Sequence, residues 1–124
     1  MAPRILIADD EPSTAELLAI FLAHHGFEVA QAYDGLEALV RMREQPPDLA
    51  LLDVMMPGLD GRDVCRAMKA DSTLAGVSVV LHSSADEAEI GWRAVGADAF
   101  LQKPFNIRQL PDFLRRHVRG PSNP

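Results

Sequence analysis

The sequence predicts an α/β protein built as (βα)5, a doubly wound five-stranded parallel sheet with helices on both faces. Two observations predict it. Short apolar runs alternate along the whole chain with stretches of helical periodicity, which is the pattern of repeated β/α units. The first, third, fourth and fifth runs are apolar on both faces, as in strands buried between two helical layers. Right-handed crossovers then wind helices onto both sides of the sheet.

The first strand is expected over Arg4–Ala8. A helix follows from Pro12 to His25, with Leu17, Leu18, Phe21 and Leu22 on one face, Pro12 in its first turn and Gly26 at its end. His24 and His25 sit in the last turn, where cations are favoured. Strand two spans Glu28–Ala32, and Tyr33-Asp34-Gly35 turns the chain into a helix carrying Leu36, Leu39 and Val40. Pro46-Pro47 stops that helix and leads into the third run, Leu49-Ala50-Leu51-Leu52-Asp53. After the turn Met55–Gly61, a helix runs from about Gly61 to Ala70. It carries Cys65 on an apolar face with Val64 and Met68, as a small buried residue. Strand four is Val77–His82, and a short helix weakened by Gly91 covers Asp86–Val95. Strand five covers Ala99–Gln102. The last helix opens at Asn106, in capping-box form with Gln109, and buries Ile107, Leu110, Phe113 and Leu114. Pro111 inside it should kink it or move its start. Residues 1–119 form one domain, and Gly120–Pro124 read as a disordered tail or the start of a linker.

Four successive apolar runs end in groups with chemistry. Run one ends in Asp9-Asp10-Glu11, run three in Asp53, run four in Ser83-Ser84 and run five in Lys103-Pro104. In an open parallel sheet, ligands sit at the carboxyl ends of the strands. A carboxylate following an apolar run needs a partner or an exit to that edge. Capping of the first helix explains one acid but not three plus Asp53. Clustered carboxylates repel, and a hard cation relieves them; Mg2+ fits best, because it takes one or two carboxylates and leaves room for a phosphoryl group. A metal, an amine and a hydroxyl together suit a dianionic group.

Composition bounds the function classes. The 124 residues are 48% hydrophobic and 24% charged, which is a globular domain large enough for one core. Twelve basic against 18 acidic residues give a net charge of −6, so direct nucleic-acid binding is not expected. The basic run Arg115–Arg119 suits a helix C-terminus instead. A single cysteine excludes an internal disulfide and points to a reducing compartment. No membrane span or signal peptide is legible, so a cytoplasmic location is expected.

With these residues in place, the chain resembles the receiver domain of bacterial two-component response regulators, the family of the single-domain chemotaxis regulator. The resemblance covers Arg4 to about Arg119. It rests on Ala8-Asp9-Asp10-Glu11, on Leu52-Asp53-Val54-Met55-Met56-Pro57-Gly58-Leu59-Asp60-Gly61, on Gly96-Ala97-Asp98-Ala99-Phe100 and on Lys103-Pro104-Phe105. It implies a flavodoxin-like fold and a signalling domain rather than an enzyme. Asp53 then accepts a phosphoryl group from a histidine kinase or phosphotransfer protein. Asp9, Asp10, Asp53 and the Met55 carbonyl hold Mg2+. Ser83 and Lys103 bind the phosphoryl group, Phe100 is the switch aromatic, and Lys103-Pro104 matches a bond usually cis. The resemblance also implies a switching surface at helix four, strand five and helix five, facing a protein partner or output domain, with a monomer or a phosphorylation-dependent dimer.

The chain departs from that pattern in one segment. Ser83 and Lys103 are 20 residues apart, about two fewer than expected for the family, and the loss falls before Gly96. Ser84 stands where a small residue is common, and competes with Ser83 for the hydroxyl role. Arg93 takes an aliphatic position, with Trp92 expected to be exposed beside it. His82 should point away from Ser83 as a packed histidine. Two other readings compete. A dehalogenase-type phosphatase needs a second acid where Met55 stands. A degenerate receiver would act only by binding.

Overall fold

The computed structural model describes residues 2–118. The expectation for residues 120–124 lies outside the described residues. Strands β1 (Arg4–Ala8), β2 (Glu28–Ala32), β3 (Leu49–Asp53), β4 (Ser78–Ser83) and β5 (Ala99–Gln102) form one parallel sheet in the order β2-β1-β3-β4-β5. The order reverses direction beside β1, so the crevice at the carboxyl ends of β1 and β3 is the topological switch point.

Strand alternation sorts the core into two layers. Ile5, Ile7, Leu49, Leu51, Val80 and Ala99 face helices α1 (Pro12–His24) and α5 (Leu110–His117) through Leu18, Leu22, Leu110 and Leu114. Leu6, Ala8, Ala50, Leu52, Val79 and Leu81 face α2 (Gly35–Glu44) and α3 (Gly61–Ala70) through Leu39, Met42, Val64 and Met68. Cys65 is buried in that second layer, as expected.

Two helices bury fewer of their large apolar residues than their sequences suggest. Leu17 is 61% exposed and Leu36 is 64% exposed, with Val40 also at the surface. Ala15, Ala19 and Ala38 share the buried faces with Leu18, Leu22, Leu39 and Met42, and Leu17, Leu36 and Val40 lie off those faces.

The segment after β4 departs most from expectation. Helix α4 is a single turn, Glu87–Ile90, rather than Asp86–Val95. Gly91 ends it in the left-handed region at φ 64°, a conformation open to glycine without strain. Trp92 is half-buried against the α2/α3 layer, not exposed, and its indole N–H donates to Glu87 at 2.8 Å. The last helix also starts later than Asn106. Ile107–Gln109 form a 3-10 turn, and Asn106 accepts from Arg108 N at 3.0 Å, so no capping box joins it to Gln109. Pro111 sits in the first turn of α5, where its missing N–H is harmless, and this moves the helix start to Leu110. A capping box does exist at α3, between Asp60 and Asp63.

Candidate functional site

The carboxyl ends of β1 and β3 bring Asp9 and Asp53 together, with Asp10 beside them. One carboxylate oxygen from each lies within 4.8 Å of the others. Asp9 and Asp53 are buried, and Asp10 is exposed. Asp9 does not cap α1: its Oδ1 accepts from Glu11 N at 2.9 Å, and the helix start at Glu11 has no side-chain cap. Its other oxygen, Oδ2, is buried without a hydrogen-bond partner. Burial raises the Asp9 carboxyl above its ordinary range, and the nearby Asp53 and Asp10 charges push the same way. A buried oxygen without a partner, on one of three clustered carboxylates, is the donor set a small hard cation takes. The residues present therefore fit a divalent ion.

Lys103 reaches the same point from β5. Its Nζ lies 3.2 Å from Asp53 Oδ2, while Asp53 Oδ1 accepts from Met55 N at 3.0 Å. The Met55 side chain is exposed and turns outward. The Lys103-Pro104 bond is cis. Ser83 is fully buried at the end of β4, and Ser84 is exposed. Ser83 Oγ accepts from Ala85 N at 3.0 Å. Phe100 is half-buried against the α2/α3 layer, paired in register with Leu81.

Strand parity explains this assembly. Asp9, Asp53, His82 and Lys103 continue the α1/α5-facing rows, and Ser83 continues the opposite row. His82 is accordingly buried away from Ser83, edge-on to Phe105 with ring centroids 6.0 Å apart. Neither of its ring nitrogens has a hydrogen-bond partner. Burial first, and then the Lys103 charge, push its imidazole down to about 3, so it is neutral.

Two further residues shape the site without having been assigned a role from sequence. Gly61 opens α3 with its N–H donating to Val54 O at 3.2 Å. A Cβ there would lie 2.7 Å from the Asp53 carbonyl oxygen, so only glycine lets α3 approach the strand end. The signal was present in sequence as a glycine directly after the α3 cap, Asp60. Gln102 joins β5 to the loop after β4, and no sequence signal marks it.

The fold and its edge define a flavodoxin-like α/β protein with an acidic site at the switch point. The profile of the response regulator receiver domain matches residues 5–115. The DNA-binding response regulator MtrA of Mycolicibacterium smegmatis is 42% identical over 119 residues, which is 96% of this chain and 52% of that protein. The chemotaxis response regulator CheY4 of Vibrio cholerae superposes with a TM-score of 0.88 at 29% identity, covering 95% of this chain and all of that one. The signal receiver domain of a histidine kinase from Syntrophus aciditrophicus gives 0.88 at 31% identity, covering 99% and 95%. The chain belongs to the response regulator receiver domain family of two-component systems. It is a signalling domain, and it spans about half the length of the curated relatives it matches. Among the described residues, no helix is long and apolar enough to cross a membrane.

Proposed function

We propose that Asp53 is the phosphoacceptor of this receiver. The observation that carries the reading is the 3.2 Å contact of Lys103 Nζ with Asp53 Oδ2, beside a carboxylate cluster whose buried Asp9 oxygen is unpartnered. An Asp53 carboxylate oxygen attacks the phosphorus of a kinase or phosphotransfer-protein phosphohistidine in line. The P–N bond breaks, and the imidazole leaves with the electron pair. Lys103 neutralises charge on the moving oxygens. Asp9, Asp10, Asp53 and the Met55 carbonyl hold Mg2+, which when bound offsets the remaining phosphoryl charge. Ser83 then donates its hydroxyl to the new group, and Phe100 and the Lys103-Pro104 turn follow that movement. The readout is a shift of the α4–β5–α5 surface toward a partner or output domain.

Slow self-dephosphorylation follows from Met55 and Ala85, neither of which can orient an attacking water by a strong hydrogen bond. Met55→Asn or Ala85→Glu is expected to shorten the phosphoprotein's half-life. The mycobacterial relatives are named DNA-binding, and this chain spans about half of them. A net charge of −6 disfavours phosphate contacts by these 124 residues themselves. A cytoplasmic location and a monomer or a phosphorylation-dependent dimer complete the reading.

The test is intact mass after incubation with acetyl phosphate, with and without Mg2+, on the wild type and Asp53→Ala. A Mg2+-dependent gain of one phosphoryl group, absent in the variant, is expected. No gain by folded wild type would overturn the reading and favour a receiver that acts by binding alone.

A further inference from the structure

Helix α4 is too short to hold the loop that joins it to β4, and side chains do that instead. Its first backbone bond runs from Glu89 N to Asp86 O at 3.0 Å, so the Ala85 carbonyl lies outside the helix's own bonding. That carbonyl accepts from Gln102 Nε2 at 2.8 Å. The same amide nitrogen lies 3.3 Å from the Ser83 carbonyl, which already accepts from Lys103 N at 2.8 Å. Ser83 and Gln102 are register partners across β4 and β5. One exposed glutamine thus spans both ends of the turn Ser83–Ala85, whose other bond is Ala85 N to Ser83 Oγ at 3.0 Å.

Gln102 and Lys103 are neighbours whose side chains reach in opposite directions. Lys103 goes to Asp53, and Gln102 goes to the loop carrying the Ser83 hydroxyl. Ser83 continues the strand row opposite to that of Asp53 and Lys103, so bringing its hydroxyl to a phosphoryl group on Asp53 requires this turn to shift relative to β5. The Gln102 bonds tie the turn to β5, so such a shift has to stretch or break them. A contact made in one conformation alone biases the equilibrium by its own net free energy.

We propose that Gln102 is a positioning residue: a clasp that holds the Ser83–Ala85 turn in its resting place and slows entry into the phosphoryl-binding conformation. The proposal rests on the acceptor reading of Asp53. A neutral hydrogen bond of ordinary net strength predicts roughly a two- to ten-fold change when the clasp is removed.

The experiment compares the wild type, Gln102→Met and Gln102→Arg. Met keeps the length without a donor, and Arg restores donors to both carbonyls. Phosphorylation by acetyl phosphate with Mg2+ is followed by intact mass, and amide hydrogen exchange at Ala85 is followed in the unphosphorylated protein. The expected result is two- to ten-fold faster phosphorylation and faster Ala85 exchange in Gln102→Met, with both returning toward wild type in Gln102→Arg. Unchanged or slower phosphorylation in Gln102→Met would overturn the clasp, as would a gain that Gln102→Arg does not reverse. If the wild type itself takes no phosphoryl group, the acceptor reading fails. Exchange at Ala85 then decides separately whether Gln102 holds the turn, and unchanged exchange in Gln102→Met overturns that too.

Discussion

Removing one negative charge from the cluster should stabilise the metal-free protein and abolish its response to Mg2+. The perturbation is Asp9→Asn. The amide keeps the bond from Glu11 N through its oxygen, and its NH2 inherits the position of an oxygen that already lacks a partner. What changes is charge. With one oxygen of Asp9 and one of Asp53 within 4.8 Å of each other, their repulsion is about 3.5 kcal/mol or more at an effective dielectric of about 20. Lys103 offsets part of this through its own attraction to Asp9, which the substitution also removes; its 3.2 Å contact with Asp53 is the same in both proteins. Asp10 is exposed and screened. The remainder favours Asn by about 1–2 kcal/mol, or roughly 4–8 °C in Tm. Mg2+ at about a hundred times its Kd should add about 2.7 kcal/mol to the wild type and much less to the variant. Thermal unfolding in EDTA and in Mg2+ therefore ranks the two proteins in opposite orders. A variant less stable than the wild type in EDTA would refute the repulsion argument. An equal Mg2+ shift in both would refute the assignment of Asp9 as a ligand.

Other outcomes follow from single contacts. Gly61→Ala places a Cβ 2.7 Å from the Asp53 carbonyl oxygen and should destabilise by about 1–3 kcal/mol, read by urea unfolding; an unchanged midpoint would show that α3 can retreat freely. Asp60→Ala removes the α3 cap and should destabilise by about 1 kcal/mol at pH 7. Burial raises the Asp60 carboxyl, but the Arg62 side chain and the Asp63 and Arg62 amides outweigh it and leave it below its ordinary 3.8. The difference from wild type should therefore persist above that value and shrink as pH falls beneath it; a difference that does not shrink refutes the cap. His82→Leu replaces two unpartnered ring nitrogens by carbon and should stabilise by about 1–3 kcal/mol. The unfolded imidazole takes a proton below about 6.5 while the folded one stays neutral down to about 3, so wild type should lose stability across that window and the leucine variant should lack that loss. Equal pH slopes would contradict a neutral His82. Burial pushes the Cys65 thiol up to about 11, so iodoacetamide at pH 8 should label it only on unfolding, and rapid native labelling by mass would contradict its burial.

The sheet and its acidic edge were legible because they depend on period and position. Strands buried on both faces read as continuous apolar runs, and a charged residue ending such a run can only leave at the edge. That logic reached Asp9, Asp53, Ser83 and Lys103 before any geometry. It also placed His82 on the opposite side from Ser83, since alternation is fixed by the strand. Which helical residues face inward was less legible, because alanines share the buried faces with the leucines and carry little apolar signal. Leu17, Leu36 and Val40 carry the stronger apolar signal, yet Ala15, Ala19 and Ala38 fill the core. Helix α4 showed its weakness in Gly91, but its end at Ile90 follows from the left-handed backbone there, and other glycines in helices do not adopt it. Gln102 was invisible for a different reason: its role lies in two carbonyls brought near by register, and backbone acceptors have no side-chain signature.

The two halves of the site are held by different kinds of bonding, and this separates what each can do. Asp9 and Asp53 are fixed by buried strands paired through β1 and β3, with Gly61 allowing α3 to pack directly on the strand end. Such a region opens only at a large fraction of the global stability. The Ser83–Ala85 turn and the segment to Val95 are held by Ile90 and Val95 in the core, by a one-turn helix, and by the Asp86 cap on Ala88 N, the Glu87–Trp92 bond and the Gln102 bonds. The hydrogen bonds among these are exposed and of modest net strength, so the turn and the start of α4 rearrange at lower free energy than the strand ends. The carboxylate cluster is thus the more rigid half, and the turn that follows Ser83 the more adjustable one. Substitutions on the strand edge should alter whether the phosphoryl group is accepted. Those at Glu87, Trp92 or Gln102 should alter how far the surface responds once it is.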